Sequence, residues 1–321
     1  MNYTARHVCA PLLMDTRMET LGSWLADAAR HMESAGLSFG HGTDNAADEA
    51  AWMACAVLDL PPAEPLCTDR ALTTEEGTRL DKLLARRIGQ RRPLAHLLGE
   101  AWFCGLRFEV NRHCHVPRSP IAELIAEAYR PWVDPRQVSS VLDLCTGSGA
   151  IAVSTALACP DWAVTGSDIN ADVLDVARRN ASSHGVSGRV RLVQSDLFEQ
   201  LAGQAFDLIV SNPPYVADSV FRSLPNEYHA EPERSLVSPG RGLLIPLRIL
   251  HQAPRFLSRD GILICEVGEN AQALQQGLGS VPLTWIEFAH GGEGVFVADR
   301  ELLLAHAEDI SELMERLRHV A

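Results

Sequence analysis

The sequence predicts an α/β fold: a mostly parallel sheet with helices on both faces, preceded by a small helical unit. Three observations predict it. The first hundred residues place apolar side chains at helical spacing; beyond Val138, strand-like runs alternate with helical ones; and seven such strand-like runs occur. A chain of 321 residues is long for one core and suits two domains or one elaborated domain.

Apolar residues recurring from Met18 through Leu21, Trp24, Ala28 and Met32 predict the first helix. Asp44 is placed to cap a second, which runs through Trp52 and Val57 and stops at Pro61-Pro62. Between them Gly36–Asn45 is dense in turn formers, and His41 reads as an ordinary loop histidine. Thr73 or Thr74 opens a third helix with Leu80, Leu83, Leu84 and Ile88 on one face, ending before Pro93. Trp102–Val110 suits two short strands turning near Gly105. The domain division is expected in this hairpin: residues 1–100 helical, 101–118 a hairpin linker and 119–321 the α/β unit.

Ser119 as cap and Pro120 at the first helical position open a helix to about Tyr129. Strands are expected at Val138–Leu144, Ala163–Ile169, Val190–Gln194, Phe206–Ser211, Gly261–Val267, Thr284–Ala289 and Gly294–Ala298. Helices such as Asp172–His184 and Gly242–Leu257 separate most of them, which makes the sheet parallel. The last two strands are joined by His290–Gly294, too short for a crossover helix, and should pair antiparallel. Leu302–Leu317 is expected to be a closing helix.

Composition narrows the function. No apolar run is long enough for a membrane span, and Met1–Thr20 lacks the continuous apolar core of a signal peptide, so the cytoplasm is the expected location. The eight cysteines, at 9, 55, 67, 104, 114, 145, 159 and 265, form no C-x-x-C pair. His113-Cys114-His115 would point to opposite faces of a strand, and no metal site is expected. A net charge of −13 argues against a DNA- or RNA-binding platform and suits a basic protein as partner. Arg86, Arg87, Arg91 and Arg92 read as a solvated helix end that complements the helix dipole.

Two stretches carry chemistry. In the first, Val141–Ala150, Gly147-Ser148-Gly149 follows a strand and opens a helix, where free N–H groups and bare backbone can approach a ligand. Gly147–Ala152 also satisfies G-x-G-x-x-A, which leaves a dinucleotide formally open. Asp168, ending the second strand, suits ribose hydroxyls in either case. Asp143, on the first strand, suits an ammonium group and would sit awkwardly beside a pyrophosphate, while Asp196 suits an exocyclic adenine amine. Amine, ribose and adenine without phosphates describe S-adenosylmethionine. The plain alternative for Asp143 and Asp196 is loop capping.

The second stretch is Asp207–Tyr215, where Asn212-Pro213-Pro214-Tyr215 closes a strand at the sheet's carboxyl edge. The Asn212 side-chain oxygen and the carbonyls of 212 and 213 are acceptors, and Pro213 and Pro214 have no N–H to compete. Such a cluster suits an NH2 group, and Tyr215 offers a ring on which a flat amide or base can stack. An amide or aromatic amine nitrogen is a poor nucleophile because its lone pair is delocalised. Holding both N–H bonds in acceptors returns density to nitrogen and aims the lone pair at a methyl donor.

These residues resemble the protein-glutamine N(5)-methyltransferases; Asn-Pro-Pro-Tyr is shared with adenine-N6 DNA methyltransferases. Further stretches are similar to the branch that methylates the third large-subunit ribosomal protein: Gly40–Asn45, Ala101–Gly105, Val116–Ile121, Leu224–Tyr228 and Gly291–Phe296. The release-factor branch has a Pro-Arg-Pro-Glu-Thr-like run where this chain has Pro117-Arg118-Ser119-Pro120-Ile121. The resemblance covers about residues 15 to 300 and implies a class I, Rossmann-like seven-stranded methyltransferase behind a helical substrate-recognition domain. It implies S-adenosylmethionine at Asp143, Thr146, Gly147, Gly149, Asp168, Ile169, Asp196, Leu197 and Asn212. The amide would sit at Asn212, Pro213, Pro214 and Tyr215, with Asn212, Pro213 and Tyr215 catalytic. The partner it implies is the ribosomal protein, free or in an assembly intermediate, with no DNA and no membrane; a release factor or DNA adenine are the alternatives.

Overall fold

In the computed structural model, residues 20–61 and 65–318 are described. The expected helix start at Met18, Cys9, the second proline of Pro61-Pro62 and most of Met1–Thr20 lie outside them. The N-terminal part is helical: α1 (Leu21–Ser34), α2 (Ala46–Leu58), α3 (Thr74–Gln90) and a short α4 (Leu94–Leu98). Asn45 rather than Asp44 caps α2, accepting from Asp48 N at 2.9 Å, because the chain is still extended at Asn45. Thr73 and Glu76 close a reciprocal capping box on α3. The apolar faces of these helices share one core with Val110, Cys114 and Val116, and with Val173 and Val176 of a later helix.

The hairpin forms as expected, β1 (Glu100–Phe103) against β2 (Leu106–Glu109). Next comes α5 (Ile121–Ala126), shorter than the expected run to Tyr129 because Ala128 and Tyr129 adopt left-handed backbone angles. The cap also shifts by one: Pro120 sits at the cap position, and the Ser119 hydroxyl accepts from Ile121 N at 3.2 Å.

The sheet is built from β3 (Ser140–Leu144), β4 (Ala163–Asp168), β5 (Val190–Gln194), β6 (Phe206–Ser211), β7 (Leu257–Glu266), β8 (Thr284–Trp285) and β9 (Val295–Asp299). Its order is β5-β4-β3-β6-β7-β9-β8. The first five strands pair in parallel; β9 runs antiparallel to both β7 and β8. The eighth strand is shorter than expected. Between the strands lie α6 (Ala150–Ala158), α7 (Ala171–Ser183), α8 (Asp218–Phe221), α9 (Leu244–Gln252) and α10 (Ala271–Leu278). The closing segment is two helices, α11 (Arg300–Ala305) and α12 (Ala307–Arg318), broken at His306.

Alternation along β6 sends Leu208 and Val210 to one face and Ile209 to the other, and each face joins its own core cluster. The chain winds outward from β3 through β4 to β5, then returns to place β6 on the opposite side of β3. That reversal opens a crevice at the carboxyl ends of the parallel strands.

Candidate active site

The crevice is a cavity of about 750 Å3, within the range that holds a cofactor-sized ligand. The strand ends supply its floor in register. Thr146 and Gly147 follow β3, Asp168 ends β4, Asp196 and Leu197 follow β5, Asn212 to Tyr215 follow β6, and Glu266 ends β7. Both stretches singled out from the sequence therefore open into one space.

At the nucleotide end, Asp168 takes a hydrogen bond from Gly147 N at 3.0 Å on one oxygen and from Asn170 N at 2.9 Å on the other. One acceptor site on each oxygen remains for a diol. Burial raises this carboxyl above its ordinary value against those hydrogen bonds. Gly147 has a φ of +56° and nothing near where a Cβ would stand, whereas a Cβ on Gly149 would lie 3.0 Å from Ala177. Gly149 therefore serves helix packing and does not line the cavity, while Gly147 does. Ile169, Leu197 and Asn212 line the space, and Asp196 is held at 3.0 Å by Arg248. The donor set, with carboxylates on two strand ends and an exposed aliphatic face at Ile169, fits an adenosine.

Asp143 is the exception. Strand alternation carries it to the face shared with Val141, beneath the start of α6, and it does not line the cavity. One carboxylate oxygen accepts from the Thr146 hydroxyl and from Ala152 N, so the group braces the glycine loop against the helix N-terminus. Burial pushes it up to about 7.

At the chemical end, the Asn212 side chain makes no hydrogen bond among the described residues, which leaves its oxygen open to a ligand. The Ser211 hydroxyl donates to Leu144 O at 2.7 Å and locks β6 to β3 just before the corner. The Tyr215 hydroxyl donates to Glu266 at 2.8 Å, and the Asn270 side chain donates to the Tyr215 carbonyl. Glu266 and Ser119 were not singled out from the sequence as partners of this corner, since no spacing rule links positions so far apart.

In the wall above the corner, Glu231, which joins residues of Gly40–Asn45 and Val116–Ile121, was also not singled out from the sequence. Glu231 is buried and accepts from Val116 N at 2.7 Å and from both terminal nitrogens of Arg118 at 3.0 and 2.7 Å. His115 and His41 lie 3.2 and 3.3 Å from its oxygens. Burial opposes its charge, but His115 and Arg118 outweigh that and hold the carboxyl well below the usual range. His41 also packs against the Tyr228 ring with centroids 4.4 Å apart, and Arg118 lies over the same ring. His41 does lie in the loop between α1 and α2, but it is buried against Glu231 and Tyr228 instead of standing in solvent.

Arg87 corrects the reading of the basic patch. It is fully buried, donating to Glu49 at 2.6 Å, to Glu227 at 3.3 Å and to Ser38 O at 2.9 Å. Arg91 donates to Gly36 O at 2.6 Å, and only Arg86 of the four is an exposed helix-end residue.

Acid should loosen this wall. Burial lowers His41, and also His96 behind the wall, whose ring nitrogen lies 3.0 Å from Cys114 O, below their usual 6.5, so below that pH the unfolded chain binds protons that the folded one refuses. Glu231 adds stability that is present above the ordinary carboxylate value of 4.5 and is lost at lower pH, as its depressed pKa is crossed. The melting temperature is expected to fall between about pH 7 and about pH 5, and His41→Gln to flatten that slope. A wild-type melting temperature unchanged over this interval would refute the assignment.

A glycine loop, a strand-end carboxylate and an acceptor-rich corner on this sheet define an S-adenosylmethionine-dependent methyltransferase. The methyltransferase small domain family matches residues 130–245, and the PrmC N-terminal domain family matches residues 23–99. Relatives named ribosomal protein uL3 glutamine methyltransferase include one from Xanthomonas campestris, 46% identical over 87% of this chain and 91% of its own length. Those from Xylella fastidiosa and Bordetella pertussis are 44% and 41% identical, over 92% and 89% of this chain and 95% and 97% of their own lengths. The chain belongs to the ribosomal protein uL3 glutamine methyltransferase family. Among the described residues, no helix is long and apolar enough to cross a membrane.

Proposed function

We propose that this chain methylates the side-chain amide nitrogen of a glutamine in ribosomal protein uL3, in the cytoplasm during assembly of the large subunit. The observation that carries the chemistry is that Asn212 and Tyr215 open into the same cavity as Asp168. The relatives' shared name supports the substrate.

Thr146, Gly147, Asp168, Ile169, Asp196 and Leu197 would hold the cofactor, with Asp143 and Gly149 shaping the loop from behind. S-adenosylmethionine supplies an electrophilic methyl group on a sulfonium. The Asn212 oxygen and the carbonyls of 212 and 213 take the two N–H bonds of the amide, and the Tyr215 ring covers its flat face. Pro213 and Pro214 keep the turn rigid and add no donor. On transfer the sulfur–methyl bond would break as the nitrogen–carbon bond forms, the sulfur leaving as a neutral thioether, and the nitrogen's proton would pass to solvent, so the corner needs no base of shifted pKa. Most of the rate comes from holding the two groups in line, worth about 7–11 kcal/mol in favourable cases.

Residues 1–100 and the hairpin at 101–118 are proposed as the recognition unit in front of the catalytic domain at 119–321. Support comes from Glu231 and Glu227, which tie residues of both parts to the loop after the corner. Purified enzyme with labelled S-adenosylmethionine is expected to label one glutamine of uL3, free or in immature subunits, and to leave release factors and DNA unlabelled in competition. Label on a release factor or on DNA adenine, with uL3 blank, would replace the proposed substrate.

A further inference from the structure

We propose that Glu266 is a positioning residue, which sets the Tyr215 ring against the target amide through the Tyr215 hydroxyl and is itself held by Ser119. The proposal rests on the reading of the corner above. Three hydrogen-bonded groups run in line along the cavity wall. The Ser119 hydroxyl donates to one Glu266 oxygen at 2.5 Å, and the Tyr215 hydroxyl donates to the other at 2.8 Å. Ser119 also accepts from Ile121 N, so the relay is anchored in the backbone that opens α5. All three side chains line the cavity.

The economy of the site argues for a function. Glu266 is 5% exposed and forms no ion pair among the described residues. The neighbouring cation, Arg118, is engaged on both terminal nitrogens by Glu231. Burial raises the Glu266 carboxyl above its ordinary value. A buried carboxyl without a cation is a costly way to fill space, and an apolar side chain of that size would serve stability better. What the carboxyl adds is direction. A tyrosine ring turns about two side-chain torsions; the hydroxyl lies on the axis of the second, so a bond there restrains the first and leaves the second to whatever packs along the ring. The flank is closed too: a Cβ on Gly268 would stand 2.7 Å from the Tyr215 ring. With the ring held at its hydroxyl and along its edge, and the Tyr215 backbone carbonyl held by Asn270, only the face remains for the amide. Misplacement by about 1 Å in such a site can cost roughly a hundredfold.

The test compares Tyr215→Phe, Glu266→Ala, Glu266→Gln and the double variant Tyr215→Phe/Glu266→Ala. Steady-state kinetics on the protein substrate would be combined with cofactor binding by calorimetry and with NMR of ring-labelled tyrosine. The chain has four tyrosines, so the Tyr215 signal is assigned by its loss in Tyr215→Phe. Expected are kcat losses of roughly 10- to 100-fold in Tyr215→Phe and in Glu266→Ala, and no further loss in the double variant. Glu266→Gln, whose amide accepts from Tyr215 and donates to Ser119, should recover most of the loss. Cofactor affinity should stay within about twofold, because the relay lies away from Asp168 and Asp196. The Tyr215 ring signal should broaden or split in Glu266→Ala and sharpen again in Glu266→Gln. Additive losses in the double variant, full activity of Tyr215→Phe, or an unchanged ring signal in Glu266→Ala would each overturn the proposal. Failure of the wild-type enzyme to methylate any glutamine would instead strike the reading of the corner, and the ring signal would still decide the positioning.

Discussion

Replacing Asn212 by alanine is expected to lower kcat by about 10²–10³-fold while leaving cofactor affinity nearly intact, the size seen when one preorganised partner of a reacting group is removed. The reason lies in what the side chain touches. Asn212 carries no structural hydrogen bond among the described residues, and β6 is secured just before it by Ser211 on Leu144 O. Its removal deletes an acceptor and leaves the strand, the proline turn and the Asp168 loop in place. The measurement is kcat by methyl transfer beside cofactor binding by calorimetry. Equal loss of both would mean that the corner is structural and that the amide is held elsewhere.

Arg87→Ala is expected to be the most damaging change remote from the cavity. It would leave the Glu49 and Glu227 carboxylates and the Ser38 carbonyl buried around an empty space. Breaking a buried pair by removing one partner costs about 3–5 kcal/mol, a drop in melting temperature of roughly 10 °C in a chain of this size. Arg87→Lys should recover little, because one ammonium cannot reproduce a fork that meets three acceptors. Arg86→Ala, an exposed neighbour, should stay within about 0.5 kcal/mol of wild type. The effect should reach function as well, since Glu227 belongs to the loop that follows the Asn212 corner. A melting temperature within about 2 °C of wild type for Arg87→Ala would show that the network is dispensable.

Four of the five stretches that distinguished the branch in the sequence meet in space. His41 from Gly40–Asn45, Arg118 from Val116–Ile121 and Tyr228 from Leu224–Tyr228 touch one another or share Glu231, and Gly292 packs on Pro120. Each looked like an isolated run because the residues it meets in another stretch lie far along the chain. Of the residues that meet there, Arg118 and Tyr228 line the same cavity as Asn212 and Tyr215.

The sequence by itself determined the α/β class, the parallel sheet with its antiparallel end and the two stretches that open into the cavity. Those are local properties: a period of 3.6 or 2, a cap, a glycine that opens the backbone, prolines without a donor. Tertiary structure alone decided what depends on residues distant in the chain and on which way a side chain points. It turned Asp143 beneath α6 instead of into the cavity, buried Arg87 from an apparently solvated patch, drew His41 into the wall, and set Glu266 behind Tyr215. A charged residue looks the same in sequence whether water or a buried partner surrounds it, and only packing distinguishes the two.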